Sequence, residues 1–147
     1  MFSELGLNLH ATDIQAALGL VQLSRLDGFI AARRSNWAKL KGLTDGLPFT
    51  VPAVADGCSP SWFTFPMLVR EGRDALMAHL AENGIESRPV VAGNMTRQPV
   101  SPGDPAAFPV ADEWFRNGLW VSVHPQLTDA DLQHIAAALR AFWSARG

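Results

Sequence analysis

The chain has 147 residues, of which 48% are hydrophobic and 18% charged, with a formal net charge of −2. This composition is typical of one ordinary globular domain and excludes a disordered segment. A near-neutral chain offers no electrostatic surface to nucleic acid or to an anionic membrane, so we expect neither partner. The single cysteine, Cys58, excludes an internal disulfide and fits a cytoplasmic location.

A long helix is predicted first, over residues 13 to about 43, with Thr12 and Gln15 spaced as a capping box at its start. Residues 14 to 26 of this helix are apolar nearly all round. A surface helix of a small domain has one apolar stripe, so we expect this half to contact a further surface, from another domain or a second subunit. The second half is amphipathic, with three residues predicted to face inward: Ile30, Trp37 and Leu40.

Short strands and helices alternate in the rest of the chain. Phe63, Phe65, Met67 and Val69 alternate with other residues and are predicted to share the inner face of the first strand. Pro66 places this strand at a sheet edge or at a bulge. The predicted elements are a strand over 62–69, a helix over 73–83 closed by Gly84, a strand over 85–91, a loop over 93–109, a helix over 110–117, a strand over 119–123 and a helix over 129–143 capped by Thr128.

This order of elements predicts an α+β fold, with a small, mostly antiparallel sheet covered by helices, in a single domain over residues 1–147. No metal site is predicted, because the four histidines and Cys58 are not at ligand spacing. Cys58 lies in a Pro/Gly loop without a neighbouring histidine, so it is not predicted to be a nucleophile. Asp129 and Asp131, in the first turn of the last helix, are interpreted as partners of the helix dipole.

Two polar stretches stand out from the apolar background. One is residues 6–10, with Asn8 and His10 before the first helix, and the other is "GNMTRQP", residues 93–99. Loop segments of this kind bind ligands in some proteins and are merely solvated in others, so the pattern leaves both interpretations open.

The stretches "GLNLHATDIQAALGLVQLSRLDGFIAARR" and "FPVADEWFRNGLWVSVHPQLTDADLQHIAAAL" resemble the C-terminal domain of the DegT-type family of nucleotide-sugar aminotransferases and dehydratases. These are fold-type-I enzymes that use pyridoxal phosphate, and the resemblance covers essentially the whole chain. Within the family, "SRPVVAGNMTRQP" and "WVSVHP" resemble the branch that removes the 3-hydroxyl from CDP-4-keto-6-deoxyglucose or its GDP counterpart.

The resemblance implies roles for five residues. Asn94, Thr96, Arg97 and Gln98 would line the sugar-nucleotide side of the active site. Asn8 would reach the phosphate of the cofactor held by the partner subunit of a homodimer. His10 stands where the family usually has an arginine, which weakens any charge-based contact there.

The resemblance also places the catalytic machinery upstream of residue 1, in a large domain that would hold pyridoxal or pyridoxamine 5′-phosphate and, in some dehydratases, an iron–sulfur cluster. We therefore expect no catalytic residue and no cofactor in this chain alone. The function implied is the small domain of an NDP-4-keto-6-deoxyhexose 3-dehydratase of deoxysugar biosynthesis, for lipopolysaccharide O-antigen or glycosylation. Two alternatives are the same domain of a nucleotide-sugar aminotransferase and a non-catalytic protein-interaction module.

Overall fold

The computed structural model describes residues 10–146. Helices and strands alternate in this part of the chain, which confirms the α+β fold. None of its helices is long and apolar enough to cross a bilayer. The elements are α1 (Asp13–Leu43), β1 (Thr64–Leu68), α2 (Arg73–Glu82), β2 (Ser87–Pro89), α3 (Pro109–Asn117), β3 (Gly118–Ser122) and α4 (Asp129–Ser144), with single 3₁₀ turns at Met95–Arg97 and Pro105–Ala107.

The three strands form one antiparallel sheet in the order β1-β3-β2. Pro66 lies in β1 and Pro89 at the end of β2, and both strands are edges. Proline lacks the N–H that a central strand must donate, so the edge position predicted from Pro66 is confirmed. β3 is central and carries no proline.

One face of the sheet packs against the helices and forms the core. Helix α4 contributes one face along its length, and α1 contributes only its second half, through Trp37 and Leu40. Ile30, predicted to face inward, is half-buried. The innermost side chains, each almost completely buried, are Leu40, Phe65, Met67, Leu76, Leu80, Leu119, Val121, Val123, Leu132 and Leu139.

The prediction that Phe63 lies on the inner face of the first strand is wrong: its side chain is 73% exposed. The preceding residue, Trp62, has a φ of 43°, so the chain turns there and the alternation begins only at Thr64. Trp62 stacks on Trp37 at a ring-centroid distance of 4.4 Å and takes the inward position instead. Phe63 is thereby left beside the outer face of the sheet.

The first half of α1 projects from this core. Its capping box is confirmed, since the backbone N–H of Thr12 donates to Gln15 Oε1 at 2.9 Å and Gln15 N donates to Thr12 Oγ1 at 3.3 Å. Residues 13 to 28 are all exposed in the chain by itself. Their exposed apolar side chains are Ile14, Leu18, Leu20, Val21, Leu23 and Leu26. The predicted all-round apolar half is therefore an apolar surface without a partner inside residues 10–146.

Helix α4 begins at a second capping box. Asp131 accepts hydrogen bonds from both the backbone N–H and the hydroxyl of Thr128, each at 2.7 Å. The backbone bond, then the hydroxyl bond, lower the pKa of the Asp131 carboxyl. Asp129 forms an ion pair with Lys39 of α1 at 2.6 Å. Both acids thus lie at the positive end of the helix, and Asp129 also ties α4 to α1.

Candidate functional site

The polar segment predicted from the sequence, residues 93–99, lies between β2 and α3 and is built on a tight turn. Ala92 and Gly93 have φ values of 57° and 53°, in the left-handed region. A Cβ on Gly93 would lie 2.6 Å from the Phe115 Cα, so only glycine lets the turn approach α3 this closely. The turn thereby fixes the segment against the face of α3 that carries Phe115.

Asn94 holds the segment from inside. Its side chain is 1% exposed, and its Oδ1 accepts hydrogen bonds from the Thr96 backbone N–H at 3.1 Å and from the Thr96 hydroxyl at 2.6 Å. Its Nδ2 donates a long bond of 3.4 Å to the carbonyl of Pro105. Asn94 therefore caps the 3₁₀ turn at residues 95–97, and its polar atoms are used within the protein.

Arg97 reaches across to α3 and forms a two-pronged ion pair with Asp112. Its Nε contacts Asp112 Oδ1, and its Nη2 donates to Oδ2 at 3.0 Å. Arg116, one turn further along α3, donates from Nε to the same Oδ2 at 2.9 Å. The Arg97 guanidinium also lies 5.4 Å from the centre of the Phe115 ring. Two arginines thus share one carboxylate, which leaves a net positive charge on this surface.

The ion pair sets the charge states of this cluster. The hydrogen bond from Arg97, then that from Arg116, lower the pKa of Asp112 to about 2, against a partial opposing effect of desolvation. The same hydrogen bond raises the pKa of Arg97. Both groups are charged at neutral pH. Arg97 uses Nε and Nη2 on Asp112, so its Nη1 is the nitrogen left to bind an outside acceptor.

The structure brings four of the predicted site residues into one turn. Asn94 and Thr96 bond to each other, and Gln98 donates from Nε2 to the carbonyl of Ala92 at 3.4 Å. Arg97 is the charged member, and its side chain is 29% exposed. Asn8, predicted to contact a cofactor phosphate, lies outside the described residues, and His10 is exposed ahead of α1.

The α3 side of this cluster was not predicted from the sequence. Asp112 and Arg116 are four residues apart, a spacing that places them on one helix face and signals their contact. The partnership of Arg97 with Asp112 spans fifteen residues of irregular chain and has no periodic signal. The contact between Gly93 and Phe115 likewise depends on the tertiary fold.

The described residues do not fit pyridoxal phosphate. This part of the chain offers two lysines as amines for the cofactor's aldehyde. Lys39 Nζ pairs with Asp129 at 2.6 Å, and Lys41 Nζ lies 5.3 Å from the centre of the Trp37 ring on the surface of α1. Lysines that form Schiff bases are desolvated in an apolar pocket or lie beside another cation, whereas both of these side chains are exposed. No chemical step is therefore derived through the cofactor in residues 10–146.

Comparison with known proteins supplies the family. Residues 1–140 match the model of the DegT/DnrJ/EryC1/StrS aminotransferase family. The chain is 34% identical over 152 aligned residues to the dTDP-4-dehydro-2,6-dideoxy-D-glucose 3-dehydratase of Saccharopolyspora spinosa, covering 96% of this chain and 32% of that protein. It is also 34% identical to the lipopolysaccharide biosynthesis protein RfbH of Salmonella typhimurium, over 97% of this chain and 35% of that protein.

A solved structure agrees in fold. The E. coli GDP-4-keto-6-deoxy-D-mannose-3-dehydratase with bound hydrated PLP superposes with a TM-score of 0.80 at 25% identity, over 95% of this chain and 38% of that one. The chain thus spans about a third of the length of the curated relatives that it matches. Because the family model matches nearly all of the sequence, the chain belongs to the DegT/DnrJ/EryC1/StrS aminotransferase family.

Proposed function

We propose that the chain is the C-terminal domain of a pyridoxal or pyridoxamine phosphate-dependent NDP-4-keto-6-deoxyhexose 3-dehydratase of deoxysugar biosynthesis. The observation that carries the proposal is 34% identity to a sugar 3-dehydratase over 96% of the chain. The bound PLP of the superposed E. coli dehydratase supports the cofactor. The name of the Salmonella relative supports a role in lipopolysaccharide synthesis.

A large domain upstream of residue 1 is part of this proposal. The relatives are about three times as long as the matched region, and the described residues do not fit the cofactor. The exposed apolar half of α1 supplies a contact surface for that domain or for a second subunit of a homodimer. In such a dimer Asn8 would reach the partner's cofactor phosphate. The chain alone would then be inactive.

Within the complete enzyme, we assign the sugar-nucleotide contact of this domain to residues 94–98, through Arg97. Asp112 and Phe115 orient the Arg97 guanidinium, and Nη1, which is not used on Asp112, would bind a phosphate or hydroxyl oxygen. Asn94 and Thr96 shape the turn that carries Arg97, and Gln98 closes it onto Ala92. In this proposal Arg97 makes the charged contact with the substrate, and the hydrogen bonds of Asn94 and Thr96 hold the turn that carries it.

We place the enzyme in the cytoplasm, as the single cysteine suggests. The proposed cofactor is pyridoxal or pyridoxamine 5′-phosphate. An iron–sulfur cluster in the upstream domain, implied for some dehydratases, stays a prediction.

The residue at the Schiff-base position of the upstream domain separates the two enzymatic alternatives. Histidine there supports the dehydratase, whereas lysine would assign the domain to an aminotransferase, as the name of the matched family allows. A gene that encodes no upstream domain would contradict both and favour a non-catalytic interaction module. Sequencing of the gene on the 5′ side of Met1 reads out all three results.

The assignment of Arg97 is tested in the complete enzyme by substitution. Arg97→Ala should weaken sugar-nucleotide binding by about 1.5–3 kcal/mol, the usual effect of losing a charged hydrogen bond. Arg70→Ala is the matched control, because Arg70 also pairs with a carboxylate of α3, Glu113, but with a side chain 72% exposed. If wild type and Arg97→Ala bind the sugar nucleotide with equal affinity in calorimetric titration, residues 94–98 are a solvated loop without a role in substrate binding.

A further inference from the structure

A second candidate site lies on the outer face of the sheet, away from the helix-covered core. A cleft of about 340 Å³ opens there between α1 and β3. Trp120 forms its floor, flanked in the sheet register by Pro66 of β1 and Arg88 of β2. Phe63, turned outward by the backbone at Trp62, forms a side wall with its ring centre 6.2 Å from that of Trp120.

Arg33 of α1 lines this cleft. Its Nε is buried and makes no hydrogen bond to any group in residues 10–146, and the described residues give it no ion pair. Its guanidinium lies 5.9 Å from the centre of the Phe63 ring. Burying part of a guanidinium without a hydrogen-bond acceptor is costly, and an anion in the cleft would balance the charge of this half-buried side chain, which lines it.

The remaining polar groups of the cleft fit the same ligand. Arg88 bonds to Glu86 at 2.8 Å, so this pair cancels in charge and Arg33 leaves the cleft with one positive charge in excess. His124 accepts from the backbone N–H of Gln126 at its Nδ1, so the neutral ring carries its proton on Nε2 and offers a donor. An exposed phenylalanine and a half-buried tryptophan lie beside an arginine that has no partner in residues 10–146, and this combination suits a base and a phosphate.

We propose that this cleft binds the nucleoside diphosphate part of the sugar nucleotide, with the base stacked on Trp120 and Phe63 and a phosphate oxygen bonded to Arg33. The identity of this ligand rests on the proposed function. The residues that bind it do not overlap residues 94–98. Trp62, with its φ of 43°, is the backbone feature that turns the Phe63 ring towards the base.

The test is a titration of the chain with CDP, GDP and dTDP, followed by ¹H–¹⁵N spectra. We expect shifts at the Trp120 indole and at the Arg33 Nε–H, with the Trp143 indole on the far side unchanged. Pyrophosphate, which lacks the base, and a nucleoside, which lacks the phosphates, should each bind at least about tenfold more weakly, because each omits one of the two contacts. No shift in the cleft with any nucleoside diphosphate would overturn the proposal.

Substitutions separate the cleft from nonspecific charge effects. Arg33→Ala and Trp120→Ala should each raise the Kd for the nucleoside diphosphate by about tenfold. Arg70→Ala, which removes an exposed arginine outside the cleft, should leave it unchanged. Thermal melts of each variant verify the fold, and Arg33→Lys, which keeps the charge but lacks the planar guanidinium, should also weaken binding. Equal affinity in Arg33→Ala, Arg33→Lys and wild type would overturn the assignment.

The outcome is independent of the proposed reaction. If the chain binds the nucleotide in the cleft but the complete enzyme aminates its sugar, the dehydratase proposal is refuted and the nucleotide-binding proposal stands. If the complete enzyme dehydrates its substrate and its Arg33→Ala variant has an unchanged KM, the nucleotide-binding proposal is refuted and the dehydratase proposal stands.

Discussion

Substitution of Asn94 distinguishes a structural role of this residue from direct substrate contact. Asn94→Ala removes an acceptor that serves both the backbone N–H and the hydroxyl of Thr96, at 3.1 and 2.6 Å. Each such bond contributes about 0.5–1.5 kcal/mol net, so the two together predict a loss of about 1–3 kcal/mol in the free energy of unfolding. The bond to the Pro105 carbonyl, at 3.4 Å, is too long to add much.

A double-mutant cycle isolates the contact between the two side chains. Thr96→Val removes the hydroxyl and keeps the backbone N–H, so its cost should be about 0.5–1.5 kcal/mol. Because both substitutions delete the same 2.6 Å bond, the double variant should cost less than the sum of the single variants by a similar amount. Urea denaturation followed by circular dichroism gives all three values.

The control is Asn83→Ala, an exposed asparagine after α2 whose side chain bonds to the carbonyl of His79 at 2.8 Å. Exposed bonds of this kind are replaced by water, so we expect a change below about 0.5 kcal/mol. If Asn94→Ala were as mild as Asn83→Ala, or if the cycle showed no coupling, Asn94 would not be the internal cap described here. Its predicted role in substrate contact would then be direct.

Acidification should weaken the ion pair between Arg97 and Asp112, because the folded pKa of Asp112, about 2, lies below the ordinary 3.8. The stabilisation by the pair is complete above pH 3.8 and is lost as the pH falls towards about 2. This loss should be missing from the acid unfolding profile of Asp112→Asn, and an identical profile of variant and wild type would contradict the pair. Light scattering of the chain should give a mass above that of the 15.9 kDa monomer, because the exposed apolar half of α1 would be covered by self-association. The double variant Leu18→Glu with Leu23→Glu should be monomeric. A monomeric wild type would count against a partner surface on this half of α1. Incubation with pyridoxal phosphate should label surface lysines only, and stoichiometric cofactor retained after Lys39→Arg with Lys41→Arg would refute the absence of a cofactor site.

The helices were predicted well because their signals are local. Thr12 with Gln15 marks the start of α1 in the sequence, and Thr128 marks the start of α4. Strands β1 and β2 proved shorter than predicted, whereas β3 has the predicted length and begins one residue earlier; β2 has only three residues paired with β3. The apolar pattern of a segment indicates which side chains can be buried, whereas the register of the sheet decides how many of its residues pair with a neighbouring strand.

The sites were harder to predict than the fold. The segment over residues 93–99 is visible as a polar run, but its partner Asp112 is brought to it only by the packing of α3. The cleft at Trp120 was not predicted, because the alternating pattern assigned Phe63 to the core. No local sequence signal indicates that the backbone turns at Trp62. Arg33 reads as one of several basic residues on a helix, and its lack of a partner is a property of the folded chain.

The central proposal is that the chain completes a sugar 3-dehydratase, and the product of the complete enzyme tests it most directly. The enzyme encoded by the gene that contains this chain should be incubated with a 4-keto-6-deoxyhexose nucleotide and pyridoxamine phosphate, and the product analysed by mass spectrometry. The proposal predicts loss of the 3-hydroxyl as water, with no reaction by the 147-residue chain alone. A 4-amino sugar that keeps its 3-hydroxyl, or turnover by the chain by itself, would contradict it.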